Sequence, residues 1–269
     1  MGRSVVDLIF EPAGAATTIV LFHAALRRDA YPSPHFTGFN LTGGAPVNRV
    51  FVADPVLYDD EGLDLAWYAG ADGLPLQPAL LRIIEHLHHT AGGTRLATFG
   101  ASGGGFAAMY YANHLPGALA IAVNPQTNIA RYVQRSVRRY LEVAWDRGDE
   151  PDLEQALAAV DFDLTTTYDG RASDLLYIQN TGDRHRDQHL RPFVEKLDDK
   201  DRTWILERAW GEGHVAVPPA ELKEIVQLVL NEPGPWAQVL RNVGTRGPWW
   251  RMGRREQPVL PLVPAARWS

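Results

Sequence analysis

Seven short apolar runs, each separated from the next by a helical pattern or a loop, restrict what this chain can fold into. They lie at residues 4–10, 17–22, 49–53, 95–99, 119–123, 174–179 and 203–207. The second, TTIVLF, carries no charge. A run of that kind suits a strand buried on both faces, as in a parallel sheet covered by helices. The intervening stretches carry the complementary signal. Residues 78–89 begin with proline, and Leu80, Leu81, Ile83, Ile84 and Leu87 suit one helix face. Further helical patterns span 103–114, 187–197 and 219–230. Strands alternating with helices imply an α/β chain with a doubly wound, mostly parallel central sheet.

The 269 residues fit one large α/β domain. We expect that domain over 1–231. Residues 125–172 interrupt the alternation with a long helical stretch, either a cap over the site or extra helices packed on an edge. Residues 232–269 are rich in Pro and Trp. Prolines at 233, 235, 248, 258, 261 and 264 oppose regular helix, while tryptophans at 236, 249, 250 and 268 oppose simple disorder. An irregular tail that wraps onto the body or meets a protein partner is expected there.

The net charge of −6 argues against a nucleic-acid partner. The absence of cysteine removes disulfides, thiolate metal sites and cysteine nucleophiles. Asp7 and Glu11 interrupt the only candidate signal sequence. No uncharged apolar run reaches the roughly 20 residues needed to span a bilayer. A cytoplasmic location is therefore expected, with no membrane span.

Gly100-Ala101-Ser102-Gly103-Gly104 fits G-x-S-x-G, after an apolar strand and before a helical run. That context suits a serine exposed on a sharp strand-to-helix turn, where glycines keep side chains out of a crowded elbow. A hydrolytic serine needs a base and an acid, here in the order Ser, Asp or Glu, His. His214, in GEGHV after the last apolar run, is favoured over His185 and His189 as base. Asp183, just past the sixth run, is preferred as acid, with Asp187 as the alternative. The oxyanion hole needs two backbone amides. Gly103 is one candidate. Ala25, in the turn His23-Ala24-Ala25, is the other, with Ala24 close behind. His23 is read as holding that turn.

With these residues in view, residues 4–230 resemble the α/β-hydrolase superfamily. The resemblance rests on GASGGG, the His-small-small turn at 23–25, Asp183 and Gly213-His214. It implies a Ser-Asp-His triad and ester- or amide-type acyl transfer without cofactor or metal. Ala24 departs from the glycine that often follows the histidine. A second, shorter resemblance, Asn124-Pro125-Gln126-Thr127, is to hydrolase-like proteins of bacterial surface-polysaccharide and glycoprotein pathways.

The expected function is cleavage of a carboxylic ester, a small-acyl or sugar ester included, through an acyl-enzyme. The substrate would be a small-molecule or glycan ester. Trp67, Tyr68, Asn124 and Gln126 are candidate substrate contacts, and Tyr31, Phe36, Trp145 and Trp210 could add to an aromatic cleft. The competing expectation is a non-catalytic accessory or scaffold protein. It would bind a protein or glycan through the tail and the Arg131, Arg135, Arg138, Arg139 face. Histidines 185 and 189 have i, i+4 spacing without a further ligand set, which opposes a metal-dependent hydrolase.

Overall fold

Alternate residues along each central strand feed two separate cores, one on either face of a single sheet. The computed structural model describes residues 5–168, 170–246 and 263–264. Among these, the strands are β1 (Leu8–Glu11), β2 (Thr17–Phe22), β3 (Val47–Val52), β4 (Arg95–Ala101), β5 (Leu119–Val123), β6 (Asp174–Asn180), β7 (Thr203–Arg208) and β8 (Val263–Pro264). Their order is β1-β3-β2-β4-β5-β6-β7-β8. β2 to β7 share parallel pairings, and the edge strands β1 and β8 pair antiparallel.

The helices are α1 (Phe39–Thr42), α2 (Leu76–Thr90), α3 (Gly103–Asn113), α4 (Gln134–Trp145), α5 (Leu153–Leu157), α6 (Leu164–Thr167), α7 (Arg191–Lys196), α8 (Pro219–Asn231) and α9 (Trp236–Arg246). Val20, Phe22, Ala120, Ala122 and Tyr177 meet α2, α3, α4 and α7 on one face. Ile19, Leu21, Phe99, Ile121 and Ile178 meet α8 and α9 on the other. This is the mostly parallel sheet flanked by helices that the short apolar runs imply. Residues 103–112 are all buried. Alanines 118, 120 and 122 lie in the same core, and side chains this small let α3 lie close on the strands.

The differences from the sequence reading are local. The helix expected over 187–197 is a π-helical turn at Arg186–Leu190 followed by α7. Pro192 lacks the N–H that would continue the α-helical ladder across this junction. In the tail, α9 is a regular helix where none was expected. It starts directly after Pro235, whose carbonyl accepts the Gln238 and Val239 amides. A proline at a helix entrance forfeits no bond, so Pro233 and Pro235 introduce this helix without opposing it. Trp249, Trp250 and Trp268, and the tail arginines 251, 254 and 255, lie outside the described residues.

Residues 125–172 hold α4, α5 and α6. α4 buries Val137, Tyr140, Leu141 and Ala144, and the Tyr140 hydroxyl donates to the Gly70 carbonyl (2.7 Å). Two arginines of the basic face of α4 are committed within the chain. Arg138 donates to the Gly148 and Glu150 carbonyls, and Arg139 pairs with Asp60 and Glu142.

The α9 helix is anchored by Trp236, which is buried, donates from Nε1 to the Leu96 carbonyl (3.0 Å) and lies 3.8 Å beneath the Arg95 guanidinium. Trp236→Ala should lower unfolding free energy by about 3–5 kcal/mol, measured by urea denaturation. An unchanged midpoint would mean that α9 does not dock in solution.

Candidate active site

β4 ends at Ala101 and α3 begins at Gly103, so the chain reverses its character at one residue. Ser102 makes the turn with φ 54° and ψ −118°. Its N–H donates to the Val123 carbonyl at the end of β5 (2.9 Å), and its own carbonyl accepts from the Gly105, Phe106 and Gln126 amides. The flanking glycines are a steric need. A Cβ on Gly100 would lie 1.9 Å from the Gly104 oxygen, and one on Gly104 would lie 2.5 Å from the His23 oxygen.

The three sequence candidates converge on this turn. His214 Nε2 lies 3.1 Å from Ser102 Oγ, and His214 Nδ1 lies 2.6 Å from Asp183 Oδ2. Asp183 is buried. Burial pushes its carboxyl up, but hydrogen bonds from His214 and the His185 amide, with the nearby imidazoles, outweigh that and hold it below the ordinary range. Asp187, the alternative acid, instead points to solvent and pairs with Arg191. Of the alternative bases, His185 donates from Nδ1 to the Asn124 carbonyl (3.2 Å), because a carbonyl only accepts. His189 Nδ1 accepts the Thr127 amide (3.2 Å). Both rings are buried, which lowers them to about 4 and about 3, so they stay neutral around His214.

The proton arrangement follows from one indole. Trp67 Nε1 donates to Gln126 Oε1, and an indole N–H can only donate. That fixes the Gln126 amide, whose Nε2 then faces Ser102 Oγ at 3.0 Å and must donate to it. The Ser102 proton is left to point at His214 Nε2, and the Nδ1 proton of His214 points at Asp183. Trp67 is itself wedged edge-on against Tyr132 and Tyr140, both from the 125–172 segment.

Several expectations need correction here. Trp67 and Tyr68 do not face a cleft; both are essentially fully buried. The Tyr68 hydroxyl accepts the His23 amide (2.8 Å) and donates to the Val52 carbonyl (3.1 Å), so it is spent on the scaffold. Asn124 is also buried. Its side chain donates to the Val215 carbonyl (3.1 Å) and accepts the Asn180 amide (2.6 Å), clamping the loop that carries His214. Asn180, which sequence reading missed, donates to the Gly211 and Gly213 carbonyls of the same loop. An asparagine at a strand end gives no signal of which loop it will hold.

The oxyanion candidates stand as follows. Gly103 is the first residue of α3, and its N–H has no partner within the helix. Ala25 is exposed in the turn after His23, between it and Leu26, whose amide donates to the Asp64 carbonyl. His23 holds this turn as read. Its Nδ1 donates to the Ala24 carbonyl (2.8 Å) and its Nε2 accepts the Asp54 amide (3.3 Å), a neutral tautomer. Burial lowers it to about 4. Burial likewise raises Asp54 to about 7, against hydrogen bonds from the Tyr68 and Val56 amides. Asp183, His185 and His214 offer ligand atoms within 4.8 Å of one another, a proximity that the Asp183–His214 hydrogen bond accounts for.

No protein-family model matches the sequence, and no curated protein matches it. Solved structures do. A capsule O-acetyltransferase of Neisseria meningitidis serogroup A superposes with a TM-score of 0.65 at 14% identity, covering 84% of this chain and 92% of that one. A monoacylglycerol lipase from Paleococcus ferrophilus gives 0.52 at 15% identity, covering 84% and 98%. The Glycosylation Associate Protein (Gap123) complex from Streptococcus agalactiae gives 0.58 at 16%, covering 93% of this chain. The chain has the α/β-hydrolase fold. It spans 46% of the length of the chain it matches in the Gap123 complex. Among the described residues, no helix is long and apolar enough to cross a membrane.

The neutral histidines set the acid response of the fold. His23, His185 and His189 take up protons near 6.5 when unfolded but only near 4, 4 and 3 when folded. Folded stability is therefore lost as pH falls from about 6.5 toward 4. Asp54 and Asp64, raised when folded, act in the opposite sense, but His35 and His88 are lowered by burial as well, so five groups outweigh two. Urea midpoints should fall steadily between pH 6.5 and 4, and a flat profile would contradict this assignment.

Proposed function

We propose that this chain is a serine acyl-transfer enzyme that cleaves a carboxylic ester. The single observation that carries the reading is His214 bridging Ser102 Oγ and Asp183 Oδ2. His214 takes the hydroxyl proton as Ser102 Oγ attacks the ester carbonyl. The carbonyl electrons move onto oxygen, where the amides of Gly103 and Ala25 would receive them. Collapse expels the alcohol, which His214 protonates, and water then releases the acyl group from Ser102. Asp183 keeps the Nδ1 proton in place and stabilises the imidazolium. The names of two structural neighbours, one a capsule O-acetyltransferase and one a glycosylation-associated complex, support a glycan as the alcohol.

Gln126 enters this scheme as a group touching the reacting oxygen. By donating to Ser102 Oγ it leaves the hydroxyl proton one acceptor, His214 Nε2.

Two experiments test the reading. A fluorophosphonate probe should label Ser102, and Ser102→Ala should abolish both labelling and ester turnover, by at least roughly 10⁴-fold in kcat, without changing the urea midpoint. Absence of labelling in folded protein would instead favour a non-catalytic scaffold. At Gln126, the Leu variant should lose about tenfold in kcat with KM little changed, the loss of one hydrogen bond. Gln126→Glu should lose more, because a carboxylate oxygen beside Ser102 Oγ accepts the proton meant for His214. Equal losses would show that donor direction at this position does not matter.

A further inference from the structure

The three backbone segments that carry the candidate site each lend a residue to one cavity. Ala101 precedes Ser102, Ala24 precedes Ala25, and Ala216 follows His214 by two residues; all three line it. The cavity has a volume of about 680 Å³ and lies between the ends of β2 and β4, α1 and the start of α8. Tyr31, Phe36, Phe39, Leu41, Val217 and Leu222 supply its apolar walls. No carboxylate lines it. Its titratable groups are Tyr31, Lys223 at the exposed side of α8, and His35, which burial holds below its ordinary value and so neutral at pH 7.

The rim is unusually apolar. Six large hydrophobic side chains are exposed among the described residues, and Tyr31, Phe39 and Val215 are three of them. Tyr31 and Phe39 line the cavity, and Val215 sits between His214 and Ala216. Scattered exposed apolar residues need no explanation, but a cluster at the mouth of a cavity marks a binding site. The size is that of a small-molecule pocket, and apart from Lys223 on the exposed side of α8 the lining is apolar and aromatic, which favours an uncharged ligand.

We propose that this cavity is the acyl subsite, and that it takes an uncharged apolar acyl group of about six to eight carbons or an aryl acyl group. The proposal rests on the acyl-transfer reading above. An ester carbonyl held at Ser102 then directs its acyl chain past Ala24 and Ala101 toward Phe36 and Leu222.

Ala220 lines the cavity and is exposed in the first turn of α8, so a larger side chain can fill the space without entering the core. With the full chain, p-nitrophenyl hexanoate should exceed the acetate by about tenfold or more in kcat/KM. Ala220→Trp should reduce that ratio to about one by lowering hexanoate turnover. A wild-type preference for acetate, or a hexanoate preference that survives Ala220→Trp, overturns the proposal. A second measurement does not need turnover. Octan-2-one, an inert mimic of the acyl part, should bind Ser102→Ala by saturation-transfer NMR, and the signal should vanish in the Ser102→Ala, Ala220→Trp double variant. Ketone binding in a protein that hydrolyses no ester would sink the acyl-transfer reading but support the cavity as an apolar site. Intact acetate hydrolysis with no ketone binding would sink the acyl subsite alone.

Discussion

Ser102 holds a backbone conformation, φ 54° and ψ −118°, that an L-residue keeps only when its surroundings over-determine it. Such a residue costs on the order of 1–3 kcal/mol, and here the surroundings are the first turn of α3 pressed against the strand ends. The Ser102 amide is tied to β5 and its carbonyl to α3 and to the Gln126 amide. α3 can press so closely because residues 100 and 104 have no Cβ and because small residues floor the contact from β5. The hydroxyl therefore stands at the carboxyl end of the sheet, fixed by buried packing.

The base is less enclosed, since His214 sits on a loop with its side chain 40% exposed and one ring contact, to His185. Its position is inherited from two buried asparagines at the ends of adjacent strands. Asn124, itself at a positive φ of 42°, follows β5, and Asn180 ends β6. Asn180 donates to the carbonyls of Gly211 and Gly213, and Asn124 to that of Val215, so the loop is pinned on both sides of the histidine. The Asn124–Asn180 bond links the clamps to each other. β5 thus orients both partners: its last carbonyl holds the Ser102 amide, and the next residue holds the base loop.

These two layers differ in how far they can be read from the sequence. Short apolar runs, a G-x-S-x-G after one of them, and an Asp and a His later in order suffice to place the sheet, the turn and the three converging side chains, because each is a local pattern with one favoured geometry. The roles of Trp67, Tyr68 and Asn124 were not legible. An aromatic pair after a polar loop looks like a cleft wall, but Tyr68 is turned inward by bonds to His23 and Val52, residues far away in the chain. The α9 helix was hidden for a different reason. Its entrance prolines read as breakers unless the helix is known to start just after them. The alternation also gave no hint that Arg138 and Arg139 would be consumed inside the 125–172 segment.

The direction of every proton in the site traces back to a group that has no choice. An amide can be turned over and an imidazole can exchange tautomers, but an indole only donates. Trp67 therefore orients Gln126, Gln126 orients the Ser102 hydroxyl, and the hydroxyl requires an unprotonated Nε2 on His214, which sends the remaining proton to Asp183. The indole is itself held by edge contacts to Tyr132 and Tyr140. The 125–172 segment thereby reaches the serine without touching it: its aromatic rings brace the tryptophan, and that bracing sets which way the hydroxyl points. A segment that reads as an interruption of the α/β pattern is in this sense part of the nucleophile's support. The support lies on the α3 side of the sheet, opposite α8, so the nucleophile is held from one face.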